Sequence, residues 1–164
     1  EYFCNQDACI FCLGIYTGQV PKDEFVRIIV DITKAFSDEL KKASPDVVFS
    51  FLSGGGADSK EKSKVLFSRE KGKAENFLIA KDFGGLHIFR PGYIYPVVPR
   101  EEPNLSYKIM RKIYRPFFSH FKSLSVTSQQ LATVMLDVAL KDKGGLIFEN
   151  RDIVKYFDSS SNWE

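Results

Sequence analysis

The chain predicts an α/β fold, a parallel sheet with flanking helices. Three observations carry that expectation: short strand candidates apolar on both faces, helical stretches between them, and glycines or prolines that stop each strand. Strands and helices alternate, and such alternation calls for crossover connections joining parallel strands. A length of 164 residues suits one domain able to bury a sizeable core.

The first strand is expected at Ala8–Leu13, "ACIFCL", apolar throughout and ended by Gly14. After the loop "IYTGQVP", Phe25, Ile28, Ile29, Ile32, Phe36 and Leu40 recur at helical spacing, and Pro21 stands just before the run, so a long helix is predicted over Lys22–Ala43. Ser44-Pro45 stops it. "DVVFSFL", Asp46–Leu52, is rich in Val and Phe and reads as a second strand, closed by Gly54-Gly55-Gly56. A helix is expected over Ser59–Ala80, and Leu86–Phe89 in "GGLHIFRPG" supplies a third strand, ended by Pro91-Gly92. Leu105–Leu124 has a helical pattern broken at Pro116. Ser128–Ala139 predicts a helix with Ser128 as N-cap and Leu131, Val134, Met135 and Val138 on one face, and Gly144-Gly145 precedes a last strand in "LIFEN".

The composition, 44% hydrophobic and 27% charged, is that of a globular protein, and a net charge of +2 gives no support for nucleic-acid binding. No run of 18 apolar residues occurs, and no leader pattern stands at the start, so a cytoplasmic location is expected. The cysteines are Cys4, Cys9 and Cys12. Cys9-x-x-Cys12 would suit a metal or redox site at a helix start; within a strand, residues three apart face opposite sides, which favours buried structural thiols. An odd count with no second pair agrees with a reducing compartment. His87 and His120 are isolated in the sequence, so no metal site is predicted.

Two glycine-rich stretches fail as phosphate loops. "SGGGADS" has Ser59 where the third glycine of G-x-G-x-x-G would fall, and Gly72-Lys73 lacks both the upstream glycine and the following Ser or Thr of a P-loop.

The series "DACIFCLG", "VVFSFLSGGGADS", "FSREKGKAEN" and "LHIFRPGYIYP", in that order, resembles the short-chain dehydrogenase/reductase superfamily, most of all its atypical, extended-like members of the NAD(P)-binding or epimerase-like kind. The similarity runs from about Gln6 to Ile153. It implies a Rossmann-like domain over 1–157 holding the later two-thirds of the family's fold, with "DACIFCLG" as its fourth strand; the composition separately suggests a disordered tail at 158–164. The strand at Ala8–Leu13 would then be an exposed edge, open to pairing with another copy, so a homo-oligomer is an expectation.

The resemblance also implies chemistry: hydride transfer between NAD or NADP and a carbonyl or alcohol substrate, with a tyrosine moving the proton. A lysine four residues later lowers the phenol pKa and binds the nicotinamide ribose, and a serine orients the substrate oxygen. Ser53 matches the serine and Lys71 the lysine, while Phe67 stands at the tyrosine position, where a phenyl ring can neither give nor take a proton. Gly14 matches a position where small residues let the backbone pass the adenine side of the cofactor, and Pro91, Gly92 and Ile94 match the turn whose backbone meets the nicotinamide amide. Tyr16, Tyr93 and Tyr95 are the alternative proton donors; Ser68 lies about 100 degrees around the helix from Phe67 and faces elsewhere. The other reading is a non-enzymatic module that senses cofactor or binds a protein on the same fold.

Ser106–Ser123, "SYKIMRKIYRPFFSHFKS", combines Lys108, Arg111, Lys112, Arg115 and Lys122 with large apolar side chains and no acid. Three readings stay open for it: an ordinary helix covering the core, a roof over a substrate pocket, or contact with an anionic membrane surface.

Overall fold

The computed structural model describes residues 2–98, 124–141 and 146–160. Four parallel strands form the main sheet. β1 (Ala8–Phe11) pairs with β2 (Val48–Leu52), β2 with β3 (Gly85–Arg90), and β3 with the strand near the end of the chain, Ile147–Glu149. Two short strands, β4 (Tyr93–Tyr95) and β5 (Ser125–Thr127), pair in parallel as a separate ribbon, so Ile147–Glu149 is β6. The α/β class with a parallel, Rossmann-like sheet is thus the fold observed.

Helices cover both faces. Ile88 and Phe89 are neighbours on β3 and point to opposite sides. Ile88 joins Phe11, Leu40, Val47, Phe49, Phe51, Ala74 and Leu78 in one apolar cluster, and Phe89 joins Val126, Leu131, Val134, Met135, Val138, Phe148 and Ile153 in another. The first cluster takes its helical members from α2 (Ile32–Ala43) and α3 (Leu66–Ile79), the second from α4 (Ser128–Lys141) and α5 (Asn150–Ser160). Burial on both faces is why the strands read as continuous apolar runs rather than alternating ones. β1 lies at the end of the strand order, and Ile10 on it is 41% exposed.

Several expectations need correction. The helix over Lys22–Ala43 is α1 (Lys22–Val26), a wider π-helical turn over Arg27–Asp31, then α2; the Thr33 hydroxyl donates to the Ile29 carbonyl inside that wide turn. The helix expected from Ser59 starts only at Leu66, because the Asp58 carboxylate accepts the backbone N–H groups of Lys60, Lys62 and Ser63 at 3.0, 2.8 and 2.7 Å and folds 58–63 into a loop instead. The N-cap of α4 is Thr127 rather than Ser128: its hydroxyl accepts the Gln130 N–H at 3.1 Å while Gln130 accepts the Thr127 N–H at 2.9 Å. β1 ends at Phe11, which takes Cys12 out of the strand, and none of the three cysteines is fully buried: Cys4 and Cys12 are exposed as residues and Cys9 is half-buried.

α5 was not foreseen. It runs through Ser160, three residues into the expected tail. The helical pattern at 105–123, the proposed membrane contact at 106–123 and Gly144-Gly145 lie outside the described residues. No helix among the described residues is long and apolar enough to cross a membrane.

Candidate functional site

Because β1, β2 and β3 run parallel, the segments that leave their carboxyl ends come together on one side of the sheet. Cys12–Thr17, Leu52–Gly55 and Pro91, Gly92 and Ile94 surround a cavity of about 630 Å³, closed along α3 by Phe67 and Lys71. All the residues assigned from sequence, Gly14, Ser53, Lys71, Pro91, Gly92 and Ile94, with Phe67, line this one cavity. Of the three alternative tyrosines only Tyr16 is in the lining; Tyr93 and Tyr95 belong to β4 and are not. Ser68 is outside it too, near the backbone of Gly56.

The glycines of the second loop let its backbone sit under the helix and against the third loop. An added Cβ on Gly54 would fall 2.5 Å from Cζ of Phe67, and one on Gly55 3.0 Å from the Pro91 carbonyl oxygen, to which the Gly55 N–H donates at 2.7 Å. Gly92 is held likewise: its N–H donates to Oδ1 of Asn150 at 2.9 Å, and a Cβ there would meet the Leu124 carbonyl oxygen at 2.2 Å. A Cβ on Gly14, by contrast, would have no neighbour within 4 Å.

Lys71 is 4% exposed. Its Nζ donates to the Leu52 carbonyl oxygen at 2.9 Å and lies 4.7 Å from the centre of the Phe51 ring. Burial, which disfavours the charged form, pulls its pKa from 10.5 down to about 8, against smaller upward effects of Glu75 and Cys12.

The side chain that sequence reasoning missed is Glu75, fully buried one turn beyond Lys71. It accepts the Ser53 hydroxyl proton in a short hydrogen bond and takes Nε and Nη2 of Arg90 at 3.1 and 2.5 Å, while Nη1 of Arg90 reaches Glu149 at 3.0 Å. The Glu75 hydrogen bond is the main reason that the Arg90 pKa is raised, with burial opposing it. Phe67, Lys71 and Glu75 stand four residues apart on one face of α3, so the spacing was a signal: an acid at that interval, on a stripe otherwise aimed at the core, has to find a partner. The Ser53 hydroxyl therefore lines the cavity with its hydrogen already engaged in the bond to Glu75.

Cys12 shares the cavity with Lys71. Its thiol pKa is raised by burial, with Lys71 pulling the other way, and burial pushes Cys9 up to about 11. No group of three or more His, Cys, Asp or Glu side chains able to hold a metal occurs among the described residues. His87 is buried on β3, edge-on to Phe148 at 6.1 Å. No protein-family model matches the chain, and no curated protein matches it.

Proposed function

We propose that this chain binds a nicotinamide cofactor, NAD or NADP, in the manner of a short-chain dehydrogenase/reductase, with the phenol-dependent proton transfer of that superfamily absent. The observation that carries this reading is the meeting of Gly14, Ser53, Lys71, Pro91, Gly92 and Ile94 around one cavity at the carboxyl ends of parallel strands, where open α/β sheets take their ligands. Lys71 would donate to the ribose hydroxyls. The backbone at Pro91, Gly92 and Ile94 would face the carboxamide, and the bare Gly14, with open space where a side chain would project, leaves room for a flat ring. Lys71 is the one charged side chain in the lining among the described residues, so Ser53, Lys71, Pro91, Gly92 and Ile94 suit the nicotinamide–ribose end, while the lining supplies no further cation for the pyrophosphate.

When bound, the nicotinamide supplies or accepts a hydride. The chain's own part is to position it and to handle the proton, and the second task is where it departs from the superfamily. Phe67 has no exchangeable proton, and the Ser53 hydroxyl is already engaged as a donor to Glu75. A substrate oxygen at the cavity would find Ser53 Oγ as an acceptor. This favours the second reading, a cofactor-sensing module without turnover, over an active reductase or epimerase.

Titration with NADPH and NADH, followed by nicotinamide fluorescence and by turnover with a panel of carbonyl compounds, tests both. The proposal expects saturable binding, weakened at least about tenfold by loss of the Lys71 hydrogen bonds in Lys71→Met, with no turnover. Absence of saturable binding overturns it. Turnover would replace the sensing reading with the enzymatic one.

A further inference from the structure

Lys71 is held by neutral groups. Its ammonium meets a carbonyl and an aromatic face, and it makes no ion pair among the described residues. Glu75, its near neighbour on α3, has both oxygens engaged by Ser53 and Arg90. Four residues before Lys71 stands Phe67, which offers no polar atom. A primary amine almost fully withdrawn from water, with no ion-pair partner among the described residues and a cavity of about 630 Å³ in front of it, has the surroundings of a nucleophile.

Those surroundings favour the neutral amine. With a pKa of about 8, roughly a tenth of the side chain is neutral at pH 7, against about one in three thousand for an ordinary lysine. A neutral amine keeps two N–H groups and gains a lone pair; one N–H still satisfies the Leu52 carbonyl, and the lone pair is left for an electrophile.

We propose that Lys71 captures a neutral aldehyde or ketone from this cavity as an imine. The nitrogen lone pair attacks the carbonyl carbon, the C=O π pair moves to oxygen, and a proton passes from nitrogen to oxygen to give a carbinolamine. The C–O bond then breaks as the nitrogen forms C=N. The oxygen leaves as water, carrying the two hydrogens of the amine, so no oxidant, reductant or further reactant is needed. Ser53 Oγ, whose own hydrogen is engaged with Glu75, accepts a hydrogen bond from the carbinolamine hydroxyl. The lining selects the carbonyl class: Leu13, Ile15, Phe67 and Ile94 are apolar, and once Lys71 has reacted no described lining residue carries a positive charge for a substrate carboxylate.

This inference goes beyond the cofactor reading and needs no cofactor, but the two share Lys71 and can be separated by one experiment. The full chain is incubated with hexanal and sodium cyanoborohydride at pH 6 to 9, with and without NADPH, and the reduced adduct is mapped by peptide mass spectrometry. The result expected is labelling of Lys71 at least tenfold faster than of any exposed lysine at pH 7, a rate that rises with a midpoint near pH 8, and loss of that label in Lys71→Arg. The wild-type map alone decides the matter if the variant does not fold: labelling spread over exposed lysines with no preference for Lys71 overturns the proposal. Protection by NADPH supports the imine and the cofactor reading together. Preferential labelling that NADPH leaves unchanged supports the imine and counts against the cofactor. NADPH binding without preferential labelling of Lys71 overturns the imine alone.

Discussion

Phe67 and Gly54 are fitted to each other. Cζ of Phe67 is the ring atom nearest to where a Gly54 side chain would stand, and it is also the atom on which a tyrosine would carry its hydroxyl. Phe67→Tyr is therefore an overpacking change, expected to lower stability by about 1 kcal/mol as the ring is pushed off Gly54, which a shift of the urea midpoint at constant slope would show. Ser50 presents the opposite situation. It is fully buried in β2, and its hydroxyl has no hydrogen-bond partner among the described residues. Removing an unsatisfied buried hydroxyl relieves a desolvation cost, so Ser50→Ala is expected to stabilise the chain by about 1 kcal/mol. A lower urea midpoint for that variant would show that the hydroxyl is satisfied in solution.

At the scale of elements, α3 is set by its contact with the loop before it. Gly72 lies in the middle of the helix, where alanine ordinarily gains about 1 kcal/mol over glycine. Here a Cβ would fall 1.9 Å from the Asp58 carbonyl oxygen, a backbone atom that cannot rotate aside. The same loop is tied by the Asp58 carboxylate to three backbone amides. Gly72→Ala should therefore reverse the usual sign and destabilise by about 2 kcal/mol, since overpacking outweighs helix propensity. Thermal unfolding followed by circular dichroism is the check. The Ser53–Glu75–Arg90 contacts join the end of β2, α3 and the end of β3. Glu75→Gln leaves Arg90 largely buried without its main counter-charge and should cost about 3 kcal/mol, read as a fall in Tm of several degrees; an unchanged Tm would mean that Glu149 alone satisfies Arg90.

For the whole molecule, burial of Lys71 makes stability depend on pH in a direction opposite to that of a paired lysine. Its folded pKa, about 8, lies below the ordinary 10.5. Below pH 8 both states hold the proton, and the full cost of burying the charge is present. Between 8 and 10.5 the unfolded chain binds more protons than the folded one, so stability rises with pH by on the order of 3 kcal/mol from this group. Cys9 acts the other way: its folded pKa of about 11 exceeds the ordinary 9.0, so its contribution is lost as pH climbs from 9 to 11. The difference between wild type and Lys71→Met isolates the lysine. That difference should be flat below pH 8 and shift in favour of the wild type above it, as measured by urea unfolding from pH 7 to 10. A difference that does not change with pH would place the Lys71 pKa near that of a solvated lysine.

What the sequence determined by itself was periodic or local. Short apolar runs rich in Val and Phe such as "DVVFSFL" read as strands buried on both faces, and their alternation with helices such as Lys22–Ala43 leads to a parallel sheet, since crossovers are needed to join parallel neighbours. Loops that leave the same end of such a sheet must meet, but Gly14, Ser53, Lys71, Pro91, Gly92 and Ile94 were assigned from the family resemblance, and Lys71 reaches the cavity from α3 rather than from a loop. The tertiary structure decided what depends on atoms far apart in the chain. The start of α3 was shifted by a side chain that competes for backbone amides, and Glu75 found its partners, the Ser53 hydroxyl and the Arg90 guanidinium, on two different strands. Sequence spacing fixes which face of a helix a residue lies on; it does not fix which partner a buried charge will find, because that is settled by packing across elements and by the cost of leaving the charge without one.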